Sequence, residues 1–236
     1  MKLLAFETAT EACSVAVWAD GEVRERFELA PRRHAELALP WAEQLLAETG
    51  IARTQLDAIA VGRGPGAFTG VRLAVSIAQG IALALDRPVV PVSTLAVLAA
   101  GLPSLPSPGE EKIIAAIDAR MGEVYLGAFR REGGEVVAIG DEVVVKPDAA
   151  ALLEGAGWHG VGTGFAAADN ALQARYDGQL ASVDATALPH AADLARLAAA
   201  AFTRGEALAP ERVEPAYLRN NVALTLAEQQ ALRAGR

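Results

Sequence analysis

Apolar and polar positions divide the first hundred residues into short segments of two kinds. Lys2–Glu7 is a mostly apolar run that ends at the turn Thr8-Ala9-Thr10, and Cys13–Trp18 alternates as a half-buried strand does. Asp20-Gly21 reads as a tight hairpin turn, and Glu22–Leu29 completes a three-stranded meander. From Pro31 to Glu48 the spacing is helical, and Gly50 is a good stop. Leu56–Val61 is a fully apolar strand, Val71–Leu85 a long helix, Pro88–Val92 another buried strand, and Ser93–Ala100 is helical. The predicted order is βββαβαβα.

A break follows at Gly101–Glu111, where three prolines, two serines and two glycines lie close together. Beyond it the same order starts again. Ile113–Ile117 is an apolar strand, Glu123–Arg130 alternates, Gly133-Gly134 turns the chain and Glu135–Lys146 gives a third strand. A helix capped by Asp148, a strand at Trp158–Gly162, a helix near Phe165–Ala174, a strand at Leu180–Val183 and an alanine-rich helix at Ala191–Arg204 complete the pattern. The expectation is a duplicated α/β architecture. Residues 1–105 form one lobe and residues 106–236 a second, reduced lobe whose last helix packs back on the first.

Composition narrows the function classes. The 236 residues are 52% hydrophobic and 21% charged, which excludes intrinsic disorder. One cysteine, Cys13, excludes an internal disulfide framework and a multi-cysteine metal site. The histidines His34, His159 and His190 are scattered, so no metal site is expected. The net charge of −8 argues against a chain that grips nucleic acid unaided, because phosphate binding needs a basic surface. No signal peptide is recognised, and the apolar stretch Val71–Leu85, interrupted by Arg72 and Gln79, is short for a membrane span. A cytoplasmic protein with no membrane partner is expected.

The densest chemical signal is Gly62-Arg63-Gly64-Pro65-Gly66-Ala67-Phe68-Thr69-Gly70-Val71-Arg72, between an apolar strand and a long helix. Such a loop can bring backbone N–H groups to a phosphate at a helix N-terminus. Its spacing fits neither a Walker loop nor a dinucleotide fingerprint. The competing reading is a tight turn with Thr69 capping the helix. The loop candidates are Thr8, Thr10, Gly64, Pro65, Gly66, Phe68, Thr69 and Gly70. The first turn carries Glu7 where a phosphate loop of an actin-like ATPase needs an Asp, and Ala9 at a position that favours glycine. Weak ATP/ADP binding, or none, is the expectation. In the second half, Asp118-Ala119-Arg120-Met121-Gly122 keeps an acid with an arginine beside it; its plain reading is a charged turn between strands.

The remaining nucleophiles and bases read as structural. His34-Ala35-Glu36 opens a helix without a second histidine or a cysteine to complete a site, Ser14, Ser76 and Ser93 have no nearby sequence partner, and Cys13 reads as a core residue. Both long helices are apolar over more than one stripe: Leu37, Trp41 and Leu45 beside Ala38, Ala42 and Leu46 on one, and Leu73, Ile77 and Ile81 beside Val75, Ala78, Ala82 and Leu85 on the other. Broad apolar arcs fit a partner face or ordinary packing between helices.

The opening Leu-Ala-Phe-Glu-Thr-Ala-Thr, the glycine-rich loop through Leu73, Gln79-Gly80, Pro-Val-Val-Pro-Val-Ser at 88–93, the segment 118–125 and Glu214–Asn220 together resemble the bacterial TsaB (YeaZ) family. The resemblance implies a two-lobed actin-like (ASKHA, RNase H-like) fold and a role in making threonylcarbamoyladenosine beside the tRNA anticodon. It implies a scaffold that requires no cofactor of its own, partnered by the catalytic paralogue TsaD and the ATPase TsaE, touching tRNA only within the complex and forming a homodimer when alone. The partner face implied comprises Arg33, His34, Leu37, Trp41, Leu45, Arg72, Leu73, Ser76, Ile77 and Gly80. The catalytic paralogue carries metal-binding histidines four apart after the strand matching Pro88–Val92; here that stretch reads Ser93-Thr94-Leu95-Ala96-Val97-Leu98. The rival expectation is an actin-like ATP-dependent phosphotransferase or ATPase that uses the Gly64–Gly70 loop.

Overall fold

The computed structural model describes residues 1–103 and 111–219, so most of the expected break at Gly101–Glu111, and Asn220 of the late motif, lie outside the described residues. The first sheet comprises β1 (Lys2–Glu7), β2 (Ala12–Ala19), β3 (Glu22–Leu29), β4 (Ala58–Gly62) and β5 (Val89–Val92), in the order β3-β2-β1-β4-β5. β1, β2 and β3 pair antiparallel, whereas β1, β4 and β5 run parallel. The second sheet contains β6 (Glu111–Arg120), β7 (Glu123–Glu132), β8 (Glu135–Ala138), β9 (Val143–Val145), β10 (Trp158–Val161) and β11 (Leu180–Asp184). Its order is β8-β7-β6-β10-β11, with β9 added on β7. Both sheets therefore follow the same path, third-second-first-fourth-fifth, which is the duplicated α/β arrangement of a two-lobed actin-like fold.

Strand periodicity sorts the core of the first lobe by side-chain size. On one face Leu4, Phe6, Val15, Val17, Ile59 and Val61 meet α1 (His34–Thr49) and α2 (Phe68–Leu85). On the other, Ala5, Ala16, Ala58 and Ala60 meet Ala191, Ala195, Ala198 and Ala199 of a helix from the far end of the chain. Small residues on both sides let that helix lie close against the sheet.

Two helices change sides. α3 (Thr94–Ala100) follows the last strand of the first sheet, yet Leu95, Leu98 and Ala99 pack with Ile113, Ala115, Ile117 and Phe129 of the second. With α4 (Ala171–Arg175) as the short helix of the second lobe, α5 (Ala191–Thr203) follows the last strand of the second sheet and packs on the first. The N-terminus of α5 is fastened there by side chains of the meander. Ser14 Oγ accepts from the Ala191 amide (2.9 Å), Glu25 accepts from Ala192 (3.0 Å) and from the Ser14 hydroxyl (2.7 Å), and His190 Nδ1 lies 3.0 Å from Glu25. The hydrogen bond to Glu25 raises the His190 pKa above the ordinary histidine value.

Several boundaries differ from the sequence expectation. α2 begins three residues early, with Ala67 rather than Thr69 at its cap and no side-chain cap bond. By length and composition α2 suits a membrane span, contrary to the expectation from Val71–Leu85; here Ala74, Ala78 and Ala82 pack it against the sheet. The expected strand Glu135–Lys146 is two strands, because Gly140 takes a left-handed conformation between them. The helix expected from Asp148 is only the 3-10 turn Pro147–Ala149, and the helix near Phe165–Ala174 shrinks to α4 because Ala168, Asp169 and Asn170 all have positive φ.

Candidate functional site

The glycine-rich loop and the first turn close upon each other. The Thr8 hydroxyl donates to the Gly70 carbonyl (2.7 Å), and the Ala67 amide donates to the Ala9 carbonyl (2.6 Å). A methyl group at Gly66 would stand 2.3 Å from the Ala9 carbonyl oxygen, and one at Gly70 would stand 2.0 Å from that of Thr8. These glycines are required by the approach of the first turn's backbone. Thr8, Thr10, Gly64, Pro65 and Gly70 are buried, while Phe68 and Thr69 face outward from the first turn of α2. Thr10 accepts the Ala12 amide, and Gly64 accepts the Thr94 amide.

Glu7 occupies the floor of this arrangement, 1% exposed. Its Oε1 accepts the Ala9 amide (2.8 Å) and its Oε2 the Thr94 hydroxyl (3.1 Å). Burial raises its pKa to about 7 against these opposing bonds. In the stretch that opens α3, Ser93 caps the helix by accepting the Leu95 and Ala96 amides and donates to Glu142. The described residues contain no group of three or more metal-ligating side chains.

The second lobe's equivalent turn is open. Asp118 accepts the Arg120 amide (2.8 Å) and guanidinium (3.0 Å), and Arg120 and Met121 both hold positive φ before Gly122. Met121 is 85% exposed. This turn and the first face each other across a cleft of about 680 Å³ lined also by Arg32, His34, Phe68, Arg72, Tyr125, Tyr217 and Arg219. Arg72 lies over the Phe68 ring (3.2 Å to its centroid) and near that of Tyr217 (4.9 Å). Residues 213–219 reach the cleft because Gln79 bonds the Pro210 and Val213 carbonyls and the Ala216 amide bonds the Arg63 carbonyl. Sequence reasoning missed the grouping of Arg32, Arg120, Tyr217 and Arg219; the last three sat in quoted motifs, but nothing in the spacing brought them together.

The expected partner face divides. Leu37, Trp41, Leu73 and Ile77 are half-buried, Arg33, Ser76 and Gly80 are exposed, and Gly80 has open space beside it. Arg33 pairs with Glu28 and Glu36. Leu45 is corrected to a core residue: at 2% exposed it touches the sheet and presents nothing to a partner. Arg72 and His34 line the cleft, and His34 Nε2 donates toward the Thr10 and Ala12 carbonyls (3.0 and 3.2 Å), tying α1 to the first turn. His159 bonds Ser182 on the neighbouring strand. Cys13 is buried, and burial pushes its thiol pKa to about 12, which keeps it unreactive.

Comparison with known proteins fits these motifs. Residues 27–226 match the family model of TsaD, tRNA N6-adenosine threonylcarbamoyltransferase. The chain is 43% identical over 94% of its length to the tRNA threonylcarbamoyladenosine biosynthesis protein TsaB of Escherichia coli K12, covering 96% of that protein. It is 38% identical over 94% of its length to the TsaB of Haemophilus influenzae, covering 95% of that one. The solved structure of YeaZ from Pseudomonas aeruginosa superposes with a TM-score of 0.83 at 45% identity, covering 92% of this chain and 99% of that one. By sequence along nearly its whole length and by fold, the chain belongs to the TsaB (YeaZ) family, within the wider group that includes TsaD.

Proposed function

We propose that this chain is a non-catalytic scaffold subunit in the synthesis of threonylcarbamoyladenosine on tRNA. Its named relatives support the pathway. In this reading it binds and supports the catalytic paralogue TsaD through the exposed parts of α1 and α2, helps to recruit the ATPase TsaE, and self-associates through the same face when alone. It works in the cytoplasm and needs no cofactor of its own. The observation that carries the scaffold reading is the packing of the glycine-rich loop on the first turn: their backbones approach too closely for any side chain at Gly66 or Gly70, and Glu7 accepts the Ala9 amide.

Reconstituted threonylcarbamoyl transfer to tRNA by the catalytic paralogue, with and without this chain, tests the reading. Transfer that depends on the chain, together with no turnover of magnesium-ATP by the chain alone, is the expected result. Tight, metal-dependent ATP binding with turnover by the isolated chain overturns it in favour of an actin-like ATPase.

A further inference from the structure

The cleft between the lobes collects arginines in a chain whose net charge is −8. Arg32, Arg72, Arg120 and Arg219 line it against Glu11 and Asp118. Arg120 is engaged by Asp118 and Arg219 by Glu123. Arg72 is held by aromatic faces and one bond to the Phe68 carbonyl, and neither it nor Arg32 forms an ion pair among the described residues. The buried Nε of Arg219 has no hydrogen-bond partner. Beside these donors stand two exposed rings, Phe68 (69%) and Tyr217 (55%).

Arginines interleaved with exposed aromatic faces suit a ligand that alternates phosphates with flat bases. A magnesium-nucleoside triphosphate would need the glycine-rich loop to cradle its phosphates, and that loop's backbone is packed against the first turn at Gly66 and Gly70. A strand of RNA needs no such cradle, because its phosphates can be met singly by guanidinium groups. We propose that the cleft is a binding surface for a single-stranded stretch of RNA, with Arg32, Arg72 and Arg120 on phosphates and Phe68 and Tyr217 stacking bases. The inference rests on the tRNA reading above and gives this chain a direct contact with the RNA. The acidic remainder of the surface repels the backbone elsewhere and confines the strand to the cleft.

The test is fluorescence anisotropy of the full chain with a fluorescein-labelled single-stranded RNA 12-mer between 50 and 200 mM salt, beside reconstituted tRNA modification with the same proteins. Arg32→Ala/Arg120→Ala is expected to weaken binding about tenfold and to flatten the log–log salt slope by about 1.4, the value for two lost phosphate contacts on a single strand. Phe68→Ala is expected to weaken binding at least fivefold by loss of stacking, whereas Arg53→Ala, outside the cleft in a pair with Glu43, leaves it unchanged. Millimolar magnesium-ATP leaves the RNA signal in place. Absence of RNA binding by the wild-type chain, unchanged binding in the double variant, or displacement by magnesium-ATP overturns the inference. These failures are separable from that of the tRNA reading: modification that proceeds equally well without the chain removes the tRNA reading, whereas modification that needs the chain but ignores the cleft variants removes only the cleft.

Discussion

The first turns of the two lobes occupy equivalent places in sheets of identical order, and they have opposite characters. In the first lobe, residues 7–10 are buried, with Gly66 and Gly70 of the loop close against their backbone and the Glu7 carboxylate on the Ala9 amide. In the second, Arg120, Met121 and Gly122 are exposed, with Arg120 and Met121 held in a backbone conformation that costs non-glycine residues about 1–2 kcal/mol each. The first turn is a packing element on one side of the cleft, while its counterpart keeps an exposed tip. The difference teaches that topology survives duplication more readily than the chemistry of its loops.

The sharpest way to break this contrast is to add one methyl group against the first turn and one within the second. Gly70→Ala sets a carbon against the Thr8 carbonyl and is expected to cost about 3 kcal/mol or more, read as a lower urea midpoint. Gly122→Ala meets nothing within 4 Å and pays only for its positive φ, about 1 kcal/mol. Equal losses would mean that the first turn is not closed in solution.

Glu7 supplies a second test, through pH. Its carboxyl is raised in the folded chain from 4.5 to about 7, so the unfolded chain releases the proton first. Stability associated with this group is therefore complete below about pH 4.5 and is lost as pH rises through about 7. The loss amounts to about 3 kcal/mol when complete. Glu7→Gln, which keeps the shape and an acceptor for the Ala9 amide, is expected to flatten this part of the stability profile in denaturant titrations at pH 5 and pH 8. An unchanged slope would show that the carboxylate is solvated.

The smallest effect on stability is expected at the proposed partner face. Gly80→Arg projects into open space on α2 and replaces a poor helix former, so the monomer should keep its stability within about 0.5 kcal/mol or gain slightly. Gel filtration should show it monomeric, and pull-down with the catalytic paralogue should fail. Retained association would move the interface away from α2.

The first lobe was legible because its signals are local: alternating strands, a two-residue turn, and a helix that stops at Gly50. The second lobe departs from its sequence pattern where distant side chains hold the backbone. Arg175 bonds the Ala150 carbonyl, Tyr176 that of Ala151, and Gln179 those of Leu153 and Gly155, so residues 150–155 gain partners without forming the helix expected from Asp148. No local window contains those donors. The same holds at the candidate site. The glycine-rich loop could be read as an anion loop or as a tight turn, and what packs against it is set by contacts such as Thr8 to Gly70 and Glu7 to Thr94, which join segments far apart in the chain. Leu45 followed the apolar stripe faithfully and lies on its inner edge.

The exchange of α3 and α5 between sheets has a consequence for synthesis. All strands of the first sheet have been made by Val92, yet the helix that covers their alanine face begins at Ala191. At 5–20 residues per second the ribosome needs roughly 5–20 s to supply it. Throughout that interval Leu3, Ala5, Ala16, Ala58, Ala60 and Val90 face water, and the nascent lobe cannot settle as an independent unit. The first lobe is thus first in sequence and last to be completed, and a chain truncated before α5 would expose that uncovered sheet to aggregation rather than yield a smaller working protein.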